Sequence, residues 1–169
     1  FDMFAGCRSL RKIGNQTMNS STGTANSDGI FDFSNVTQAE STFEQCSALV
    51  DVYFPPNLTF PSATDSDSMF NGCNSLKVFR PNPDIVANTT TTGQMFKSCV
   101  MLHTLGPLNI GKCENISSMF QSCDSLTTIE SMSFQSVTNA TQFLSSTEVI
   151  TNFPHFNFIL SNILSSEIR

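Results

Sequence analysis

Met119-Phe120-Gln121-Ser122-Cys123-Asp124-Ser125-Leu126 is the last of five occurrences of one phrase. The others are Met3-Phe4-Ala5-Gly6-Cys7-Arg8-Ser9-Leu10, Thr42-Phe43-Glu44-Gln45-Cys46-Ser47-Ala48-Leu49, Met69-Phe70 through Leu76, and Met95-Phe96 through Leu102. With Phe as the anchor the spacings are 39, 27, 26 and 24 residues, and two further steps of 24 land on Leu144 and Ile168. Self-similarity at a period of about 20 to 50 residues marks a stacked repeat architecture, in which a unit too small to bury its apolar side alone does so against its neighbours.

Other columns keep the same register. Six residues after the anchor stand Leu10, Leu49, Leu76, Leu102, Leu126 and Ile150; nine after it stand Ile13, Val52, Phe79, Leu105, Ile129 and Phe153. Ten before the next anchor stand Phe33, Phe60, Val86, Ile110, Phe134 and Phe158. Twelve before it stand Phe31, Leu58, Asp84, Leu108, Met132 and Phe156, and Asp84 is the one polar residue in these four columns.

One unit reads Leu105-x-x-Leu108-x-Ile110-x-x-Cys113-x-x-Ile116-x-x-Met119-Phe120-x-x-Cys123-x-x-Leu126. Its LxxLxLxxC segment matches the strand-forming part of a leucine-rich repeat. The alternation Leu108-x-Ile110 sends two side chains to one face of a short strand. From Cys113 to Phe120 the apolar spacing becomes three and four, the helical period. The spacing therefore predicts a repeat solenoid of α/β class: a leucine-rich-repeat stack with short parallel strands on one face and short helical turns on the other. All of residues 1–169 form one such solenoid of about six or seven repeats, incomplete at both ends. The first unit carries a long Gly-, Ser-, Thr- and Asn-rich loop insert over residues 14–30. The chain opens almost on a repeat phrase and stops without a polar capping segment, so the expectation is a piece of a longer protein. The anchors Phe4, Phe43, Phe70, Phe96, Phe120 and Leu144 are assigned to the core as a spine between the two faces. The cysteine column Cys7, Cys46, Cys73, Cys99 and Cys123 is assigned to the core with them.

The phrase MFxxCxSL, together with Phe31-Asp32-Phe33-Ser34-Asn35-Val36-Thr37 running into Thr42-Phe43-Glu44-Gln45-Cys46, resembles the BspA-like leucine-rich repeats and related bacterial surface-protein repeats. The resemblance covers essentially the whole chain and weakens at Asp84 and at Thr147, which stands where the others have Cys. It implies a surface-exposed or secreted protein engaged in adhesion and protein recognition.

Composition narrows the alternatives. Only 13% of residues are charged, against roughly 25% in an average soluble domain, so Ser, Thr and Asn supply most of the polar surface. A net charge of -6 without a run of Lys or Arg argues against nucleic acid, because phosphate neutralisation needs clustered cations. No stretch approaches the roughly 20 apolar residues of a membrane-spanning helix.

Cysteine spacing argues against zinc, since no CxxC pair occurs. The column repeats at a distance between strand and helix spacings, which leaves a disulfide geometrically open; alternating with Phe and Leu, it reads as buried thiols. Nucleophilic catalysis needs a nucleophile, a base and an orienting group, and the two histidines, His103 and His155, fall in different repeats. Asp65-Ser66-Asp67 lacks the Gly and closing Glu of a calcium loop. No catalytic residue, metal ligand or cofactor is expected. Asn-x-Ser/Thr sequons at Asn15, Asn19, Asn35, Asn57, Asn88, Asn115 and Asn139 follow from an Asn-, Ser- and Thr-rich composition, and are glycan sites only in a eukaryotic secretory route.

For binding, the middle residue of each expected strand points outward: Asp32, Thr59, Ile85, Asn109, Ser133 and Asn157. Tyr53, Arg80, His103 and Glu130 are their exposed neighbours, and Tyr53 is the best single anchor because Tyr is enriched among binding hot spots. The expected function is a non-enzymatic module for adhesion or protein-protein recognition, extracellular, on a cell surface or on a virion. Its partner would be a protein or cell-surface ligand. The alternative is a structural component of a larger assembly such as a virion tail or capsid decoration, with sister subunits as partners. A third reading is a non-catalytic part of a larger enzyme.

Overall fold

In the computed structural model the chain is described over residues 2–13, 33–52 and 59–147. The insert 14–30 and Asp32, Tyr53, Asn157, His155 and Ile168 lie outside the described residues.

Five two-residue strands form one parallel sheet: β1 (Lys12–Ile13), β2 (Asp51–Val52), β3 (Val78–Phe79), β4 (Thr104–Leu105) and β5 (Thr128–Ile129). Their order in the sheet is their order in the chain, so each repeat lies beside the next. The register pairs Ile13, Val52, Phe79, Leu105 and Ile129 in a line, and all five are buried. Residues preceding them in the strands, such as Lys12 and Val78, are exposed, as the alternation of a strand requires. A second parallel line of bridges, outside the sheet, runs through Gln38, Asp65, Thr91, Asn115 and Asn139.

The sheet lies three residues before the segment expected to form it. At Leu108-x-Ile110 both apolar side chains are buried and Asn109 is exposed, but the pairing shrinks to a single bridge, Leu108 with Met132. Pro107 and, one repeat earlier, Pro81 and Pro83 carry no N–H to extend a ladder here. Asp84, the breach in the apolar columns, sits on a turn in which its N–H donates to Asn82 Oδ1 at 3.0 Å and Ile85 N–H to Asn82 O at 3.0 Å. The turn directs Asp84 outward and Ile85 inward, fully buried. Ile85, expected to face solvent, thus fills the core position that Asp84 vacates.

Among the described residues there is no helix. The anchor segment consists of hydrogen-bonded turns. Met119 N–H donates to Ile116 O and Cys123 N–H to Phe120 O, each closing four residues, with the third residues Ser118 and Ser122 at φ 55° and 59°. A positive φ at that position is the mark of a type II turn and stops helical propagation. Intervening N–H groups leave the repeat altogether: Ser118, Phe120 and Ser122 donate to Thr141, Phe143 and Ser145 of the next one at 2.8, 3.0 and 2.9 Å. The same pair of left-handed residues flanks Phe43, Phe70 and Phe96, with Gly72 at φ 73° in one place and Ser or Gln in the others. Apolar spacing of three and four arises here from two successive tight turns.

Between sheet and turns the anchor rings form a stack. Phe4, Phe43, Phe70, Phe96 and Phe120 follow one another at centroid distances of 5.4, 5.3, 5.7 and 5.6 Å, nearly parallel. Phe79 packs edge-on against Phe70 and Phe96 at 4.9 and 4.8 Å, an arrangement favoured by the ring quadrupole. Phe43, Phe70, Phe96 and Phe120 are buried, whereas Phe4 is half-buried against the core. Leu144 keeps the anchor position but is also half-buried; the fully buried ring of that repeat is Phe143, one residue earlier, edge-on to Phe120 at 5.3 Å.

Candidate functional site

Two sets of side chains carry chemistry, one inside the stack and one on the sheet. Inside, each column thiol donates to the carbonyl of the preceding anchor: Cys46 to Phe4, Cys73 to Phe43, Cys99 to Phe70 and Cys123 to Phe96, at 3.0 to 3.2 Å. Each of these carbonyls also accepts the N–H of its own repeat's cysteine, so both lone pairs are used. Thr147, standing where the sixth repeat would have Cys, donates to Phe120 O at 2.7 Å. The column therefore selects a small side chain with a hydrogen-bond donor, and a hydroxyl serves as well as a thiol.

All six cysteines are free. Burial pushes Cys73 and Cys123 up to about 12 and Cys99 well above the ordinary thiol range, which removes the thiolate needed for oxidation or metal binding. Cys7 departs from its assignment to the core: it is exposed. The cover for each column thiol is the preceding repeat's anchor carbonyl, and Cys7 belongs to the first described repeat. Cys113 lies off the column, buried, donating to Asn115 O at 3.1 Å and 3.4 Å from Thr92 Oγ1.

Three sequons of the described repeats, at Asn88, Asn115 and Asn139, are held by structural bonds. Asn88 donates to Pro61 O at 2.8 Å and accepts from Lys112 Nζ at 2.6 Å. Asn115 and Asn139 each accept a backbone N–H two residues on, from Ser117 and Thr141. In the same line Asp65 accepts from Asp67 N–H at 2.9 Å. Asp67 is half-buried, and burial raises its carboxyl above the usual range, against the Thr91 hydroxyl that donates to it at 2.5 Å.

On the outer side, the residues expected to line one strand face separate. Asn109 and Ser133 flank the Leu108–Met132 bridge and Thr59 precedes Phe60, whose N–H bonds Ile85 O; all three lie outside the sheet. Asn109 is engaged there, donating to Asp84 Oδ1 at 2.7 Å and accepting from Gly111 N–H at 3.1 Å. Of the expected neighbours, Arg80, His103 and Glu130 adjoin the sheet, Arg80 directly after β3, His103 directly before β4 and Glu130 directly after β5. The Arg80 guanidinium pairs with Glu130 two repeats away, its stem crossing Gly106, where a Cβ would lie 2.6 Å from Arg80 Cγ. His103 is exposed, its Nδ1 3.0 Å from Thr104 Oγ1.

The side chains that do present themselves on the sheet are Arg11, Lys12, Lys77 and Val78, with Thr104 and Thr128 half-exposed. Sequence reasoning placed the strands elsewhere and passed over them. The signal was available in the positions immediately before the buried column Ile13, Val52, Phe79, Leu105 and Ile129, which are polar in four of five repeats.

A protein-family model described as "Mycoplasma protein of unknown function, DUF285" matches residues 62–156. The chain belongs to this family. The DUF285 match spans the repeats anchored at Phe70, Phe96 and Phe120 and so takes in both partners of the thiol latches of Cys99 and Cys123, and the thiol of Cys73. No curated protein and no solved structure matches the chain. Among the described residues of this DUF285 protein no helix is long and apolar enough to cross a membrane.

Proposed function

We propose that this DUF285 chain is a leucine-rich-repeat solenoid of the BspA-like kind. In this reading it is a non-enzymatic, surface-exposed module for adhesion or protein recognition. The observation that supports the reading is the five-rung parallel sheet, one side of which is taken up by the core while the other presents Lys12 and Val78 exposed and Thr104 and Thr128 half-exposed. Stacked repeats use such extended faces for partners. The ionisable groups on that side fit binding better than turnover: His103 meets a neighbouring hydroxyl and Arg80 meets Glu130, with no third group among the described residues orienting a base toward a nucleophile.

Two experiments test this. Protease shaving of intact cells or particles carrying the full-length protein should release repeat-derived peptides; protection until lysis overturns surface exposure. Purified chain coupled to beads should retain intact cells or their surface proteins, with retention abolished by soluble chain in excess. Retention of other subunits of the protein's own particle, and of nothing else, would assign it to an assembly instead.

A further inference from the structure

Cations are concentrated on one side of this chain. Four of its eight Lys and Arg residues, Arg11, Lys12, Lys77 and Arg80, lie in or directly beside β1 and β3, and His103 directly precedes β4. Arg11, Lys12, Lys77, Arg80 and His103 are all exposed. The chain as a whole carries a net charge of -6, so this group of exposed cations runs against the sign of the molecule. On this side the Glu130 carboxylate is paired with Arg80, and the backbone of Asp51 is in register between Lys12 and Val78.

Among the cations lies apolar surface. Val78 is 36% exposed and Val50, in the neighbouring repeat, is half-buried. An apolar pair within a cationic surround suits a ligand carrying both carboxylates and an apolar side chain; a polyanionic glycan would meet the cations and leave the valines uncovered. Spacing adds a second constraint. Arg11 and Lys77 each precede the first residue of β1 and β3, two strands apart in the sheet, a separation of about 9.6 Å at ordinary strand spacing. A polypeptide extended as polyproline II has three residues per turn and rises about 3.1 Å per residue, so side chains three positions apart share one side at about 9.3 Å.

We propose that the outer face of the sheet, between β1 and β3, binds an extended acidic polypeptide segment. Two of its carboxylates, three residues apart, meet Arg11 and Lys77, and an apolar side chain between them covers Val50 and Val78. This inference rests on the recognition reading above and names its ligand class.

The test uses a fluorescein-labelled peptide, Glu-Val-Ser-Glu-Val-Ser-Glu, titrated with the chain at about 50 mM salt, where screening is weak. The double variant Arg11→Glu/Lys77→Glu is expected to weaken binding at least tenfold, and the charge-matched Lys97→Glu/Lys112→Glu less than twofold. Both pairs are surface changes, and far-UV spectra with thermal melts check that they fold. Val78→Ser should weaken this peptide by threefold or more and leave a peptide with Ser in place of Val unchanged. Equal losses from the two double variants, or no binding of the peptide, overturn the proposal. So does tighter binding of heparin with the same dependence on Arg11 and Lys77, which would make the ligand a sulfated glycan. Sedimentation that shows wild-type dimers and monomeric Arg11→Glu/Lys77→Glu would assign the face to a second copy and overturn it as well. Any of these results obtained alongside successful protease shaving removes the ligand class and leaves surface exposure standing.

Discussion

Phe96 occupies the middle of the ring stack, and its truncation measures what the stack contributes. The side chain is fully buried, with Phe70 and Phe120 stacked on its two faces at 5.7 and 5.6 Å and Phe79 edge-on at 4.8 Å. Burial of a Phe is worth about 2 to 3 kcal/mol, and each well-placed aromatic pair adds about 0.5 to 1.5 kcal/mol beyond its area. Because neighbouring repeats are pinned by cross-repeat hydrogen bonds on both sides, Phe96 N–H to Met119 O and Phe70 N–H to Met95 O, the cavity cannot close by collapse. Phe96→Ala should therefore cost about 3 to 5 kcal/mol, near the upper end. Phe4→Ala is the internal control. Phe4 is half-buried and stacks on one anchor ring, Phe43 at 5.4 Å, so its loss should be about 1 to 2 kcal/mol. Urea unfolding followed by far-UV dichroism reads both as shifts in midpoint at constant slope. A loss below about 1 kcal/mol for Phe96→Ala, or one no larger than for Phe4→Ala, would refute the account of the rings as a continuous load-sharing stack.

Three further outcomes follow from individual side chains. Cys99→Ser should retain more stability than Cys99→Ala, by about 0.5 to 1 kcal/mol, because the hydroxyl can take over the bond to Phe70 O as Thr147 does to Phe120 O; Ser at or below Ala in urea midpoint would make the column simple apolar filler. Ser66 is fully buried with a hydroxyl that has no hydrogen-bond partner among the described residues, and Ala39 and Ala140 hold the corresponding place in other repeats. Ser66→Ala should raise stability by about 1 kcal/mol, and a lower thermal midpoint would contradict this. Asp67, whose carboxyl is raised by burial, favours the folded state when protonated: that contribution is present below its ordinary value of 3.8 and is lost as pH rises through the folded value. Asp67→Asn should accordingly melt above wild type at pH 7, with the gap narrowing toward pH 3; a gap that widens on acidification would reverse the sign.

The core columns are legible in the sequence because burial leaves few substitutes: in three of the four columns the position stays Phe, Leu, Ile or Val in every unit. Thr147 shows how far this legibility reaches. By residue type it breaks the cysteine column, yet by hydrogen bond it continues it, because the position tests for a donor and a size. The path between the columns is less legible. Spacing of three and four is shared by a helix and by paired tight turns, and what separates them is the sign of φ at Ser98, Ser118 and Ser122, residues with no marked preference for the left-handed region. Gly72 and Gly6, at φ 73° and 70°, were the available hint. The outer face shifted for a related reason: Leu108-x-Ile110 alternates as a strand should, but prolines beside it withhold the N–H groups a ladder needs, and the sheet forms at Thr104–Leu105.

The thiol latch has a direction. Every donor reaches back to the carbonyl of the repeat before it, and every anchor N–H reaches forward to the repeat after it. Each unit thus offers on one side the bonding groups it requires on the other, so these bonds alone do not tell one neighbouring unit from another. Loss or duplication of one whole period by unequal recombination would lengthen or shorten the molecule without leaving these bonds mismatched at the seam. For such a chain, length can drift between generations while the fold stays the same.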